Sequence, residues 1–229
     1  METRAFDIGM IAQVLPDLLS YLDVTLLVGF VSIALGSLLG GLLAWVNISG
    51  TRPLRWLTVS YVYVMRCTPS IVLLFIVFYG LPKLAFAVFD YDMNDLHRAV
   101  FAIITFTLLF GAYISEVFRA AYKAVPRGQF EAARVLGMSA PLTMRRIVLP
   151  QVLRITLPPV SNETINLVKD TSLVYILAMN DLLRVARTIV QREFDMTPFL
   201  IAGIFYLAMT AVLTYGFKKL EAHYGRYES

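Results

Sequence analysis

Apolar positions in this chain gather into runs too long for ordinary globular helices, with polar residues confined to the joints between them. Residues 24–51 carry no charge, long enough for one membrane-spanning helix. Within that run Ser32, Gly36, Gly40 and Ala44 recur every fourth residue, which predicts a narrow face for close helix packing. The plainer account is that glycine is simply frequent in membrane helices. Trp45 suits an interfacial anchor. After a polar link at 47–55, residues 56–82 contain a single charge, Arg66. An arginine at that depth must snorkel or face protein or water. Thr68-Pro69 follows, and the proline withdraws a backbone donor beside the charge. Two readings stand: a kink with a buried ion pair, or residues lining a path or its gate.

Residues 83–98 read as an acidic loop with Asp90, Asp92 and Asp95, and 99–118 as a third span. Glu116 and Arg119 at its end are i,i+3 partners, either a helix-end ion pair or a link to the next loop. That loop, QFEAARVLGMSAPLTMRRIVLP at 129–150, is amphipathic and too short to span a bilayer. A short helix covers Glu131, Ala132, Ala133, Leu136 and Gly137, and Pro141 opens the next pattern. Ala132, Val135, Leu136 and Ser139 share a face, with Glu131, Arg134 and Arg145 on the polar side. Two helices joined at Gly137-Met138 would lie along a membrane surface and present a knob to another protein.

The pattern then becomes harder. Residues 151–179 are apolar but interrupted by Arg154, Pro158-Pro159, Ser161, Asn162, Glu163, Asn166, Lys169 and Asp170. Glu163, Asn166 and Asp170 fall on one side of a helix, while the adjacent Lys169 and Asp170 point apart. Residues 180–198 form a polar linker in which Leu182, Leu183, Ala186, Ile189 and Val190 keep a helical rhythm. Residues 196–217 make an uncharged last span, followed by Lys218, Lys219 and Arg226. At the other end, Glu2, Arg4, Asp7, Asp17 and Asp23 lie among apolar residues without a basic region and cleavage site, which argues against a cleaved signal peptide. Pro16 with Leu15, Leu18 and Leu19 suggests a short interfacial helix before the first span.

Composition agrees. Hydrophobic residues are 58% against 16% charged, and mean hydropathy is +0.69, far from a soluble domain. The net charge of +4 fits membrane topology rather than nucleic-acid binding. Cys67 is the sole cysteine, so neither an intrachain disulfide nor a cysteine metal cluster is available. His97 and His223 have no ligand-like company, so no metal site is expected. No Gly-x-x-x-x-Gly-Lys-Ser/Thr occurs. This chain has no phosphate-cradling loop, and no catalytic set converges, so it is not expected to be an enzyme.

Glu131-Ala132-Ala133, three residues, Gly137, nine residues, then Ile147-Val148-Leu149-Pro150 resembles the EAA loop of membrane subunits of binding-protein-dependent ABC importers. Further blocks are Arg66-Cys67-Thr68-Pro69 with Tyr79-Gly80-Leu81-Pro82, and Gly111-Ala112-Tyr113 with Glu116, Val117 and Arg119. The last is Asn166-Leu167-Val168-Lys169-Asp170-Thr171-Ser172-Leu173. Together they are similar to the polar amino-acid permease branch over roughly residues 15–220, with the EAA coupling loop at 129–150 inside it.

The resemblance implies an all-α membrane protein in which 151–179 is a fourth span, five in all. The polar groups of that span must then face a cavity or the bundle interior. With the N-terminus outside, the inner segments 47–56, 119–154 and 218–229 carry twelve Lys or Arg and the outer segments six. The positive-inside rule therefore favours N-terminus out, C-terminus cytoplasmic, and a cytoplasmic coupling loop between spans 3 and 4.

Further implications are an ABC ATPase homodimer that uses ATP and Mg²⁺, a second permease subunit (identical or paralogous) and an external or periplasmic amino-acid-binding protein. The setting would be the bacterial cytoplasmic (inner) membrane and its lipid, with no cofactor on this chain and no nucleic-acid partner. Glu131, Ala132, Ala133, Gly137, Ile147, Leu149 and Pro150 would couple to the ATPase. Arg66, Thr68, Pro69, Asn162, Glu163, Asn166, Lys169 and Asp170 would line the substrate path or site. Glu163 either holds a cationic side chain or α-ammonium, or neutralises Arg66, Arg154 or Lys169. In the first case lysine, arginine, histidine or ornithine is favoured over glutamate. The alternatives are an importer of a neutral or acidic polar amino acid, or an ion-gradient secondary transporter using Arg66, Glu163 and Asp170 as a relay. The latter leaves the EAA pattern without a role and shows no inverted-repeat pair.

Overall fold

A computed structural model describes residues 8–225, and Arg4 and Arg226, counted above for topology, lie outside them. The described residues are helical except for short turns and a single isolated bridge residue. Helix α1 (Ile8–Ser20) turns at Tyr21 into α2 (Leu22–Ser49), followed by α3 (Arg52–Cys67). Then come α4 (Ser70–Phe75), a π turn (Ile76–Gly80) and α5 (Leu81–Phe89), which form one helix over Ser70–Phe89. Helix α6 (Arg98–Ala124) precedes α7 (Arg127–Val135), α8 (Ala140–Thr143), a second π turn (Met144–Val148) and α9 (Leu149–Asp170). A 3₁₀ segment (Thr171–Leu177), α10 (Leu182–Glu193) and α11 (Thr197–Gly225) complete the chain.

Among the described residues, four helices are long and apolar enough to cross a membrane: Gly9–Ser49, Ser70–Phe89, Arg98–Ala124 and Thr197–Tyr224. Helix α9 is not among them, since Arg154, Asn162, Glu163, Asn166 and Lys169 dilute its apolar window. Of the five spans expected from the resemblance, four correspond to these apolar helices, while α9, in the place of the fourth, is polar. Helix α6 is the hub. It buries 56% of its apolar window, against 28%, 22% and 11% for the other three. Phe106, Phe110 and Ile114 on α6 meet Val28 of α2, Leu74 of α4, Leu167 of α9 and Val174 in the principal core cluster.

The predicted small-residue face is that packing surface. Ser32, Gly36, Gly40 and Ala44 are buried, and the backbones approach so closely that side chains are excluded. A Cβ at Gly36 would sit 2.9 Å from Phe110 Cδ1, and one at Gly40 would sit 2.8 Å from Ile114 Cβ and 2.9 Å from the Gly111 carbonyl. Gly111 reciprocates, with Leu39 Cδ2 at 2.8 Å from its own would-be Cβ.

Prolines account for the main departures from expectation. The run expected as a single span over 56–82 breaks at Thr68-Pro69, where Thr68 Oγ1 donates to the Val64 carbonyl at 2.7 Å and satisfies a freed acceptor. The second part continues through Pro82 to Phe89, into the region expected as loop. Proline removes an i→i−4 bond and crowds the carbonyl four residues back. The π turn just before Pro82 relieves that conflict, and the turn before Pro150 does the same. Asp90, in the left-handed region at φ 52°, then ends α5. The last helix outlasts its expected end at 217, and Lys219 lies over the Tyr215 ring at 4.6 Å rather than breaking it.

Helix α1 is the expected short helix. Its Val14 and Leu18 pack with Leu182, Ala186 and Ile189 of α10 and with Ile201 and Ala202 of α11. The helical rhythm read in 180–198 is therefore a real amphipathic helix.

Candidate functional site

A cavity of about 500 Å³ opens where two helix breaks face each other. One break is Thr68-Pro69, after which Ser70 starts α4. The other is the tightening of α9 into the 3₁₀ segment after Asp170. The lining includes Glu163, Asn166, Lys169 and Asp170 from α9, Tyr113 from α6, and Ser70. Ser70 Oγ donates to Asp170 Oδ2 at 2.8 Å, joining residues 100 positions apart. Lys169 and Asp170, expected to point apart, both border the cavity.

The other expected path residues stand beside this group. The Arg66 guanidinium lies over the Tyr113 ring, 5.4 Å from its centroid, within electrostatic reach of both Glu163 and Glu116. Thr68 and Pro69 form the break itself rather than the wall. Asn162 is exposed on α9 next to Glu163. Sequence reasoning missed Ser70. Its signal was a hydroxyl residue directly after Pro69, at the start of a helix. At the end of α6, Arg119 Nε donates to Glu116 Oε1 at 2.9 Å and a second guanidinium nitrogen meets Oε2, so the predicted ion pair is bidentate.

The segment 129–150 divides differently from expectation. Helix α7 ends in a turn whose N–H groups bond backward, Gly137 to Arg134 O at 3.0 Å and Met138 to Ala133 O at 3.0 Å. Gly137 has φ +70°, the left-handed conformation that closes such a cap. The turn projects Val135 and Leu136, 86% and 77% exposed. Glu131 and Ala132 are exposed as well, while Ala133 is 1% exposed and turned inward. Ile147 lies on the second π turn, and Leu149 and Pro150 start α9. These three belong to the continuous helical stretch that reaches the cavity, not to the tip.

At the opposite end, Arg98 donates to the carbonyls of Leu177 and Ala178 at 2.9 and 3.2 Å, holding the end of the 3₁₀ segment to the start of α6. The buried Asp181 caps α10 by accepting from the N–H groups of Leu183 and Arg184 at 3.2 and 3.1 Å. Burial pushes its carboxyl up to about 6, against the opposing pull of those N–H groups and of Arg184.

Apolar spanning helices, a polar cavity between broken helices and a small helical knob with bare apolar residues are the parts a membrane permease requires. The chain belongs to the family described as the binding-protein-dependent transport system inner membrane component, whose model matches residues 32–225. It is similar to YckA, a probable amino-acid ABC transporter permease of Bacillus subtilis (strain 168), at 34% identity over 97% of this chain and 95% of that one. It is 33% identical to the arginine transport permease ArtQ of the same strain, over 90% of this chain and 92% of that one. The glutamate/aspartate import permease GltK of Escherichia coli O6:H1 is 34% identical with the same coverages, 90% and 92%. A solved amino acid ABC transporter, crystallised with histidines, superposes with TM-score 0.85 at 28% identity, covering 96% of this chain and 100% of that one. The resemblance carried by the four sequence blocks holds. The protein is a multi-pass membrane permease of the amino-acid ABC transporter class.

Proposed function

We propose that this chain is the permease subunit of an ATP-driven importer. It moves a polar amino acid, of the cationic class, from an external binding protein across the cytoplasmic membrane by alternating access. The observation that carries the reading is the cavity walled by Glu163, Asn166, Lys169 and Asp170. In this reading α9 is the fourth of five spans, the N-terminus is outside and the α7–α8 turn is cytoplasmic. Support comes from the exposed face of α9, which presents Asn162, Asn166 and Lys169. Such groups cannot face hydrocarbon. Water and a second permease subunit, identical or paralogous, cover them.

Two carboxylates and one ammonium in the wall leave an excess of negative charge. An amino acid brings its own ammonium and carboxylate, and a cationic side chain supplies what neutralises the remainder. ArtQ and GltK stand on opposite sides of this choice, and the carboxylate excess supports the arginine-like side. Arg66, shared electrostatically between Glu163 and Glu116, stands as counterion of the empty site and moves toward Glu116 when a cationic substrate occupies Glu163.

On the cytoplasmic side Val135 and Leu136 enter a cleft of an ABC ATPase homodimer, with Glu131 and Arg134 orienting the contact. ATP is bound there with Mg²⁺ and hydrolysed there. Closure of the ATPase pair moves the two turns together, and the helices respond by exchanging inward for outward access.

The test is uptake into vesicles carrying the complex purified from its native membrane, with a panel of arginine, lysine, histidine, ornithine, glutamine, cystine and glutamate. ATP-dependent uptake led by a cationic member supports the reading. Preference for glutamate overturns the substrate class. A chain that never copurifies with a P-loop ATPase, in a detergent that preserves a control transporter complex, overturns the importer.

A further inference from the structure

A hydrogen bond joins Ser70 to Asp170 at the edge of the cavity. It connects the two helix breaks that make the cavity possible. Ser70 stands at the first position after Pro69, and Asp170 is the last residue of α9 before its geometry tightens. A carboxylate free in a cavity rotates and can turn either oxygen inward. Here Ser70 Oγ holds Oδ2 at 2.8 Å. A carboxylate accepts several hydrogen bonds, so the remaining oxygen, Oδ1, is free to receive a donor from the cavity.

We infer that Ser70 is a positioning residue for substrate: its hydroxyl fixes the Asp170 carboxylate so that the opposite oxygen receives the α-ammonium of the transported amino acid. This rests on the cavity reading above and deepens it. Because Ser70 and Asp170 ride on different broken helices, the receiving oxygen is correctly aimed only while the two breaks keep their present spacing. Affinity for the α-ammonium is thereby tied to one arrangement of the helices. A relative movement that stretched the 2.8 Å contact past hydrogen-bonding range would release both the serine and the aim of Asp170.

The experiment is a double-mutant cycle on the purified full complex, made with Ser70→Ala, Asp170→Asn and their combination. The probe is an equimolar mixture of the protein amino acids with ornithine and cystine, followed by each component alone. The readouts are half-saturation of ATP-dependent uptake and basal ATP hydrolysis. Ser70→Ala is expected to raise half-saturation about tenfold with maximal uptake nearly unchanged. Ser70→Thr, which keeps the hydroxyl, restores it. In the Asp170→Asn background the same alanine has no further effect. Additive effects, or full affinity in Ser70→Ala beside a damaged Asp170→Asn, overturn the role of Ser70 and leave the cavity reading standing. Unchanged half-saturation in Asp170→Asn, or a wild-type complex indifferent to every component, overturns the cavity reading and this inference with it.

Discussion

Helix α6 meets its neighbours in two opposite ways. Against α2 it packs through Gly36, Gly40 and Gly111 so tightly that a single added carbon would collide. Against α4 and α9 it leaves a cavity of about 500 Å³ walled by charge and hydroxyl groups. One contact is uninterrupted helix on helix, stabilised by dispersion and by the absence of side chains. The other is assembled from helices broken by Pro69 and by the 3₁₀ turn after Asp170. A transporter needs both: a seam that does not yield and a wall that can.

The largest expected effect comes from breaking the rigid side. Gly40→Leu puts a branched side chain where Ile114 and the Gly111 carbonyl leave no room, with a destabilisation of about 3 kcal/mol. The check is loss of monodisperse protein in detergent and a lowered unfolding temperature. A variant that purifies and melts like wild type would mean that the seam opens in solution.

Gly137→Asp acts on the exposed turn instead. Nothing lies within 4 Å of a Cβ built there, and aspartate is among the residues best able to adopt a left-handed φ. The fold should survive, with uptake reduced more than ~10-fold while ATP hydrolysis continues. Normal uptake would remove the turn from the coupling path.

Glu163→Gln tests the yielding side. It should weaken uptake of a cationic amino acid about tenfold, ~1.4 kcal/mol, relative to a neutral one. Equal effects on both would return Glu163 to balancing the charge of the bundle.

The smallest effect concerns pH and lies away from both contacts. Asp181 titrates at about 6 in the folded protein against an ordinary 3.8. The folded state therefore holds its proton more tightly. The associated stability is present below pH 3.8 and is lost as pH rises through about 6. Melting temperature followed between pH 4.5 and 7.5 should fall across this window in wild type and lose that slope in Asp181→Asn. An unchanged slope in the variant would assign the pH dependence to other groups.

Legibility in the sequence divides along the same line as the two contacts. The seam was readable because packing without side chains demands small residues at one helical period, and Ser32, Gly36, Gly40 and Ala44 display it directly. The ion pair of Glu116 with Arg119, the α10 rhythm and the amphipathic knob are likewise local patterns. The cavity was only half readable. Glu163, Asn166, Lys169 and Asp170 stood out as polar interruptions, but Ser70 did not, because its meaning comes from a partner 100 residues away. Helix ends differ from expectation where prolines border the apolar runs. Pro82 and Pro150 are instead carried inside longer helical runs by the π turns just before them. The inward turn of Ala133 beside an exposed Ala132 was likewise hidden, since two adjacent alanines carry no mark of which one is covered.

One feature of the chain has a mechanical meaning. The helical stretch that starts at α8 beside the exposed turn ends at the cavity wall, with Leu149–Asp170 as its main shaft. At 1.5 Å per residue that shaft is about 33 Å long. Pivoted near its loop end, a rod of this length converts a tilt of about 10° into roughly 6 Å of travel at the far end. Asp170 stands at that far end. Were the knob drawn aside by a partner, it would act as the short arm of a lever whose long arm carries the carboxylate.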